Sequence, residues 1–544
     1  MSQNHNSQIT NHTCDVLVVG GSLVGMTMGL LLAHQGARVI VVEHHRGTAI
    51  HPRAAQITQR TMEILRSVGI EQIVREKSGE QFVQDGAIMA VDTLDGRELA
   101  HFIANLNEGI RDVSPCERVF ISQSLLEPLL RRRADELGAD LRYGTDVVSF
   151  EQDESGATAT LRHRDSGQEE LVRALWMVAA DGAHSRTRDQ LGISMHGHGA
   201  FSRSVTIYFR ADVTSLLRGR NLSVIYVNNP TLRGFFRFEK PFDSGFLAIN
   251  ALGDPANPIT DVATGLTEER ARELVRIALG SDAVPITIEN MMPWNAEADV
   301  AARFRAGRVF LAGDSAHVMP PNGGFGGNTG VQDAHNLAWK LAMVLRGEAD
   351  EALLDTYEAE RRPVGDFTTE QAYSRYVTRT APYRGTDGMQ PVAGDLDVEL
   401  GYVYTSRAIC GAAPPLHEHP RESRGRPGTR APHVWIVRNG QRLSTLDLYE
   451  PRFTLIAARD GARWCAAASE AASRTGVRLA SYRADVDFED PERAFPDAYG
   501  IGASGAALIR PDGFVGWRSP ETDGVEEGEA VEAIAAALRA VTGR

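Results

Sequence analysis

The residues best placed to do chemistry lie between 308 and 345, where a short apolar run, Val309-Phe310-Leu311-Ala312, stops at Gly313-Asp314. The run reads as a buried strand, and the Gly-Asp pair ends it where backbone must come close to something. Pro320, Pro321 and glycines at 323, 324, 326 and 327 follow, a density of special backbone that ordinary packing does not need. From Gly330 to Leu345 the apolar positions Val331, Ala334, Leu337, Ala338, Leu341, Val344 and Leu345 fall at helical spacing. A helix emerging from a glycine-rich loop offers unpaired N–H groups and a positive dipole end to an electron-rich ligand. A second such place is Gly20-Gly21-Ser22-Leu23-Val24-Gly25, a dinucleotide fingerprint with Ser22 in place of its middle glycine. Serine is the smallest replacement that keeps backbone access to a pyrophosphate. Glu43 closes the next strand about 20 residues on, where a carboxylate accepts ribose hydroxyls.

These groups need a sheet and helices to hold them. Asp15–Val19 and Arg38–Val42 read as buried parallel strands around a helix that ends at Gln35, a βαβ unit. Helices are expected over Thr58–Val68 and Gln123–Leu137. Residues 141–174 alternate as an antiparallel meander, leading into Trp176–Ala180, a strand that ends at Asp181-Gly182. Gly199–Met292 changes texture: short strand-like runs rich in aromatics predict an antiparallel sheet inserted into the first domain, joined by Ser78–Ala100. After residue 345 a helical pattern runs to Pro363, which is expected to break it, and a second helix reaches about Arg379. The Gly- and Pro-containing stretch 412–432 reads as a linker. Beyond it the order is strand, strand, helix, strand, strand, helix, with a hairpin turn at Arg510-Pro511-Asp512-Gly513-Phe514.

The 308–345 segment, the modified fingerprint and the Asp-Gly strand end, in this order, resemble the class A FAD-dependent aromatic hydroxylases, the para-hydroxybenzoate hydroxylase superfamily. From Asp15 to its end the chain is most similar to the aromatic polyketide hydroxylase branch, of the aklavinone and tetracenomycin hydroxylase kind. The resemblance implies an α/β fold: a discontinuous, Rossmann-like (GR2-type) FAD domain over 14–77, 101–198 and 293–412, and a substrate sheet over 78–100 and 199–292. A thioredoxin-like domain over 413–544 would follow, redox-inactive because it lacks CxxC. Non-covalent FAD would be held by Gly20, Ser22, Gly25 and Glu43, by Arg53 near the phosphates, by Gln123, and by Asp181 and Gly182. Helix-start capping is the competing role for Gln123. Asp314 would contact the ribityl chain, Pro321 would line the isoalloxazine face, Gly327 and Asn328 would hold the pyrimidine edge, and Gly313 and Gly326 would also bind the cofactor. The backbone of Pro321 and Gly327 is implied as the catalytic part of the loop, and Phe236, Phe238, Pro293 and Trp294 are implied as substrate contacts.

The implied reaction belongs to the flavin. NADPH or NADH reduces FAD, O2 adds at the flavin C4a position, and the resulting hydroperoxide oxygenates an electron-rich ring carbon of a phenolic, polycyclic aromatic polyketide in antibiotic biosynthesis. The same flavin species can give Baeyer–Villiger insertion or an oxidative ring rearrangement. A flavoprotein that sequesters a reactive intermediate is the non-enzymatic alternative, and the complete motif set argues against it. No second dinucleotide fingerprint is present, so the nicotinamide has no domain of its own.

Composition sets outer bounds. At 544 residues, with 42% hydrophobic and 24% charged residues, the chain has the make-up of a multidomain globular protein. A formal net charge of -14 argues against a nucleic-acid partner. Cys14, Cys116, Cys410 and Cys465 are scattered, which fits a reducing compartment. The polar N-terminus has no signal-peptide pattern, and the most apolar window, Leu17–Ala33, is explained by the fingerprint better than by a membrane span. A cytoplasmic monomer or homodimer without metal or membrane contact is expected. His44-His45 and the His196/His198 pair lack metal-ligand company.

Overall fold

Apolar run length and alternation sort the strands into two large sheets. The computed structural model describes residues 10–50, 56–411, 415–521 and 526–544. β1 (Thr10–Val19), α1 (Leu23–His34) and β2 (Val39–Glu43) form the expected βαβ unit. α1 is apolar nearly all round because it is wedged between other helices. α2 (Gln59–Ser67) follows, then β3 (Ala87–Val91) and β4 (Glu98–Ile103), which leave for the second sheet. α3 (Gln123–Glu136) returns the chain to the first sheet through β5 (Asp140–Tyr143). β5 pairs in parallel with β2 and is not part of the meander. The antiparallel run begins one strand later, with β6 (Thr145–Asp153), β7 (Gly156–His163) and β8 (Glu169–Ala179). β8 is also parallel to β1, so its C-terminal end at Ala179 lies beside Val19 and both deliver their loops to one edge.

The second sheet holds β9 (Met195–Arg210), β10 (Leu222–Asn228), β11 (Leu232–Glu239) and β12 (Ser244–Leu252), joined by β13 (Thr287–Ala301). It is antiparallel except for the β10–β3 pair, which is parallel. α4 (Glu268–Leu279), which the strand-rich texture concealed, covers one face of this sheet. It starts on Thr267, whose side chain accepts from the Arg270 N–H, and stops at a left-handed Gly280. β13 pairs with β9 from Thr287 to Ala301, so a boundary at 293 would cut through a strand.

β14 (Val309–Leu311) adds to the first sheet beside β8 and leads to α5 (Gly326–Leu345). α5 begins four residues before the start read from apolar periodicity. Its first turn is Gly-Gly-Asn-Thr, which carries no apolar signal, yet first-turn N–H groups need no intrahelical acceptor. α6 runs unbroken from Asp355 to Arg379 with Pro363 inside it, against the expected break. An interior proline costs about 3 kcal/mol. Here Tyr357, Glu360, Arg361 and Val364 on the same helix are buried, and that packing offsets the lost hydrogen bond.

The C-terminal part has β15 (Phe453–Ala457), α7 (Ala462–Thr475), β16 (Leu479–Arg483), β17 (Ala506–Ile509), β18 (Val515–Ser519) and α8 (Glu527–Thr542). Strand order is β16-β15-β17-β18, with the first pair parallel and the others antiparallel. α7 and α8 pack together over the sheet in a thioredoxin-like arrangement. The expected hairpin turn joins β17 and β18, closed by Arg510 N–H donating to the Phe514 carbonyl.

Candidate flavin site

The N-termini of α1 and α5 converge beside the ends of β1, β8 and β14. Gly20 has φ +99°, and a Cβ there would lie 2.2 Å from the Ala180 carbonyl oxygen. A Cβ on Gly25 would lie 1.8 Å from the Gly20 carbonyl oxygen. Any side chain at either place would therefore push the loop away from the strand ends. Neither α1 nor α5 has a side-chain cap, so their first-turn N–H groups remain available to a ligand. Exposure marks the groove between them: Ser22, Asp314 and Pro321 are exposed, each flanked by buried neighbours in sequence. Two uncapped helix ends, a glycine cradle and an exposed carboxylate fit a ligand with an anionic bridge, a hydroxylated chain and a flat ring. FAD has that form.

Several expected contacts are committed elsewhere. Glu43 is buried and accepts from the Gly21 N–H at 2.6 Å and from the His45 N–H at 2.7 Å, so it fixes the phosphate loop. Gln123 Nε2 donates to Ser22 Oγ and to Glu127 Oε1, both at 2.6 Å. Glu127, which sequence reading missed, is buried and also accepts from Ser22 Oγ and from the Ala49 N–H. The side chain of Gln123 thus ties α3 to the loop and does not cap its own helix. Asp181 accepts from Ser185 Oγ and from the N–H and hydroxyl of Thr187, which holds the short helix Arg186–Gln190. Gly182 beside it has φ +86°.

Asn328 is the clearest departure. Its Oδ1 accepts from the Thr58 N–H and from Thr61 Oγ1, and its Nδ2 donates to the carbonyls of Gln56 and Gly324. Its amide is spent on binding α5 to α2, leaving its backbone N–H at the helix end. Arg53 lies outside the described residues.

Beneath the groove is a charge network without solvent contact. Asp333 on α5 accepts from the Gly313 N–H at 3.0 Å, pairs with His317 Nε2 at 2.7 Å and accepts from Arg361 Nε at 2.8 Å. Burial pushes its carboxyl up, and His317 and Arg361 more than reverse this, leaving it below the usual range. Next to Arg361, Glu360 pairs with Lys340 at 2.8 Å and takes both ends of the Arg510 guanidinium at 2.7 and 2.9 Å. Burial drives Lys340 down to about 8 despite Glu360. Arg510 belongs to the C-terminal hairpin, so that domain is fastened to α6, the helix whose Arg361 holds Asp333. A second link runs from Arg430 to Glu63 and from Arg60 to the Asp512 carbonyl, gripping α2 and through it Asn328.

The second sheet turns an aromatic face toward the proline loop. Phe102, Tyr226, Phe235, Phe246 and Tyr208 form a continuous track, with successive ring centroids 5.6, 5.9, 5.9 and 6.0 Å apart. Asn322, beside Pro321, donates to the Tyr226 hydroxyl at 3.4 Å and to Thr380 Oγ1 at 3.2 Å, joining sheet, loop and α6. Phe236 and Phe238 are not on this face. They stack on each other in the core under α4, because strand residues alternate and Phe235 holds the open side. Trp294 is half-buried, donates Nε1–H to Thr206 Oγ1 at 3.0 Å and packs near Phe201 and Tyr376, whereas Pro293 is exposed. Arg237 is on the aromatic face but lies flat against Phe120 and Phe82, 3.6 and 4.4 Å from their centroids.

Comparisons with known proteins agree with this geometry. Residues 13–372 match the family described as FAD binding domain, and residues 424–544 match the family described as aromatic-ring hydroxylase, C-terminal. The chain is 51% identical to a 4-methyl-5-nitrocatechol 5-monooxygenase of a Burkholderia species over 535 residues, covering 97% of each. It is 38% identical to the tetracenomycin A2 monooxygenase-dioxygenase of Streptomyces glaucescens, covering 96% of each. The crystal structure of aklavinone-11 hydroxylase with FAD and aklavinone superposes with a TM-score of 0.90 at 36% identity, covering 98% of this chain and 100% of that one. On these matches, over residues 13–372 and 424–544 and at up to 51% identity, the chain belongs to the FAD-dependent aromatic-ring hydroxylases.

Proposed function

We propose that the protein is an NAD(P)H- and O2-dependent monooxygenase that hydroxylates a phenolic ring held between the proline loop and the aromatic sheet. Bound in the groove, FAD supplies the redox chemistry, taking reducing equivalents from the nicotinamide and activating O2. The chain's own work is positional. Gly20–Gly25 and the N-termini of α1 and α5 hold the cofactor's anionic parts, Asp314 and Gly313 hold its chain, and Pro321, Gly326 and Gly327 bound the space beside its ring. Orienting the reactants can supply about 7–11 kcal/mol of barrier lowering. The track from Phe102 to Tyr208 gives a flat ring a stacking wall and excludes water. The observation that carries this reading is the Asn322–Tyr226 contact, which fastens that wall to the loop beside Pro321.

For substrate we favour a fused-ring polyketide phenol, because the track draws its rings from five strands of the sheet and outsizes a single ring. The 51% relative, whose name specifies a nitrocatechol, favours a smaller acidic phenol as the second reading. Trp294 remains a candidate substrate contact, and the unpaired cysteines support a reducing compartment. The deciding experiment is NAD(P)H oxidation by the purified holoenzyme with fused-ring phenols and with 4-methyl-5-nitrocatechol, followed by mass analysis of products. Faster oxidation with a product one oxygen heavier supports hydroxylation of a fused ring. Loss of the nitro group from the nitrocatechol alone would replace it with the second reading.

A further inference from the structure

A cavity of about 600 Å3 lies between the linker and the C-terminal domain and shares no residue with the flavin groove. Its walls are linker residues 422–426, the short helix Phe495–Tyr499 with the turn after it, and the end of β18. Three guanidiniums line it, Arg424 and Arg426 from the linker and Arg518 from β18. Arg424 pairs with Asp497, and Arg426 pairs with Glu418. Arg518 is different. Its Nη1 donates to the carbonyls of Arg424 and Tyr499 at 2.7 and 3.1 Å, while its Nε and Nη2 have no acceptor among the described residues. Burial and the guanidiniums of Arg426 and Arg424, in that order, lower its pKa, and no carboxylate among the described residues offsets them. The backbone is bent to make this arrangement. Arg424 is left-handed at φ +41°, a conformation disfavoured for any residue with a Cβ. Gly500 has φ +56°, and a Cβ there would lie 2.5 Å from Arg518 Nη1.

Two carbonyls thus hold one edge of the Arg518 guanidinium and leave its Nε–Nη2 edge free. Like charges gathered at a half-buried place repel each other, and an entering anion relieves that repulsion. The free edge is a two-donor fork that matches two oxygens of a phosphate, and Arg424 and Arg426 add charge beside it. The cavity is larger than a phosphate ion and falls in the size range of sites for small organic molecules. Glu422 and Glu521 also line it, both exposed and in no ion pair among the described residues, so they oppose a polyanion. We propose that Arg518, assisted by Arg424 and Arg426, binds a phosphate group, carried by a small monoester or as the free ion. The site is independent of the reading of the aromatic wall. It reaches the rest of the protein through the linker, because Arg430, four residues after Arg426, holds Glu63 on α2.

The test is calorimetric titration of the full-length, FAD-loaded protein in a chloride buffer of fixed ionic strength. The probes are glycerol 3-phosphate and inorganic phosphate, with glycerol as the uncharged control. Wild type is expected to bind the phosphate probes at one site per chain, to ignore glycerol, and to melt at a higher temperature when the site is filled. Arg518→Met should weaken phosphate binding about tenfold, the loss of a charge-assisted fork, and leave FAD content unchanged. Arg518→Lys should retain part of the affinity, because it keeps the charge and loses the fork. Arg424→Gln, at an exposed position, repeats the readout with a smaller loss if Arg518→Met folds poorly. Tighter binding of the ester assigns the site to a phosphorylated small molecule, and equal binding assigns it to the free ion; both uphold the pocket. No binding of either phosphate probe, or equal affinity in wild type, Arg518→Met and Arg424→Gln, overturns it.

Discussion

Gly313 donates its backbone N–H to the carboxylate of Asp333 across 3.0 Å, so the residue that turns β14 into the flavin loop is anchored by the helix that follows. Asp333 also carries His317 and Arg361, and Arg361 adjoins Glu360, which holds Arg510 of the C-terminal domain. The cofactor loop therefore stands on a buried ionic floor shared by two domains.

Removing that anchor should harm the cofactor site from below. Asp333→Ala leaves Arg361 and His317 buried without their anion, a change worth about 3–5 kcal/mol. Thermal denaturation should show the loss, and gel-filtered protein should carry less FAD although Asp333 lines no groove. Full occupancy with an unchanged melting temperature would contradict the account.

At the groove itself, Asp314→Ala should lower FAD occupancy, read as the ratio of flavin to protein absorbance, whereas Asp189→Ala should not. Asp189 is also exposed and sits close by on the helix Arg186–Gln190, but it is outside the groove. Equal occupancy in both variants would remove Asp314 from the site.

Acid should destabilise the fold through buried histidines. Burial pushes His335 down to about 3 and His417 and His433 to about 4. Unfolded, each binds its proton near 6.5, so the unfolded state takes up more protons in between. Their contribution to stability is complete above about 6.5, is lost as pH falls toward the folded values, and levels off below about 3. His417 stacks on Phe367 with centroids 3.4 Å apart and its Nε2 unpaired. His417→Phe should therefore flatten the pH dependence of the melting temperature between about 6.5 and 4, by up to about 3 kcal/mol. An unaltered slope would count against it.

In the C-terminal domain, burial raises the Cys465 thiol to about 11, and no second cysteine stands in CxxC spacing. Cys465→Ser should leave turnover nearly unchanged, measured as NAD(P)H consumption per flavin. A large loss with folding intact would assign the thiol a redox role.

Much of this was legible in the sequence where one residue type has one use. The glycines at 20 and 25 and the Gly313-Asp314 strand end are of that kind, and apolar run lengths gave the succession of strands and helices along the C-terminal domain. Side-chain commitments were not legible: Asn328 and Glu43 reach neighbours far away in sequence, and Asp181 turns its carboxylate to Ser185 and Thr187. Phe236 and Phe238 were misjudged because composition shows aromatics on a strand but not which face is covered, and α4, unseen in the sequence, decides that. Asp333 left a trace, a carboxylate within an otherwise apolar helical pattern. Its partners His317 and Arg361 could be found only once the helices were in place.

The central claim is that this chain transfers one oxygen atom from O2 to a phenolic ring. Turnover of the FAD-loaded enzyme with NAD(P)H and a phenol under 18O2 tests it most directly, with product mass and NAD(P)H consumption read together. The account predicts one 18O atom in the product and consumption of NAD(P)H in proportion to it. Consumption that ends wholly in hydrogen peroxide with every phenol tried, or product oxygen drawn from water, would contradict it.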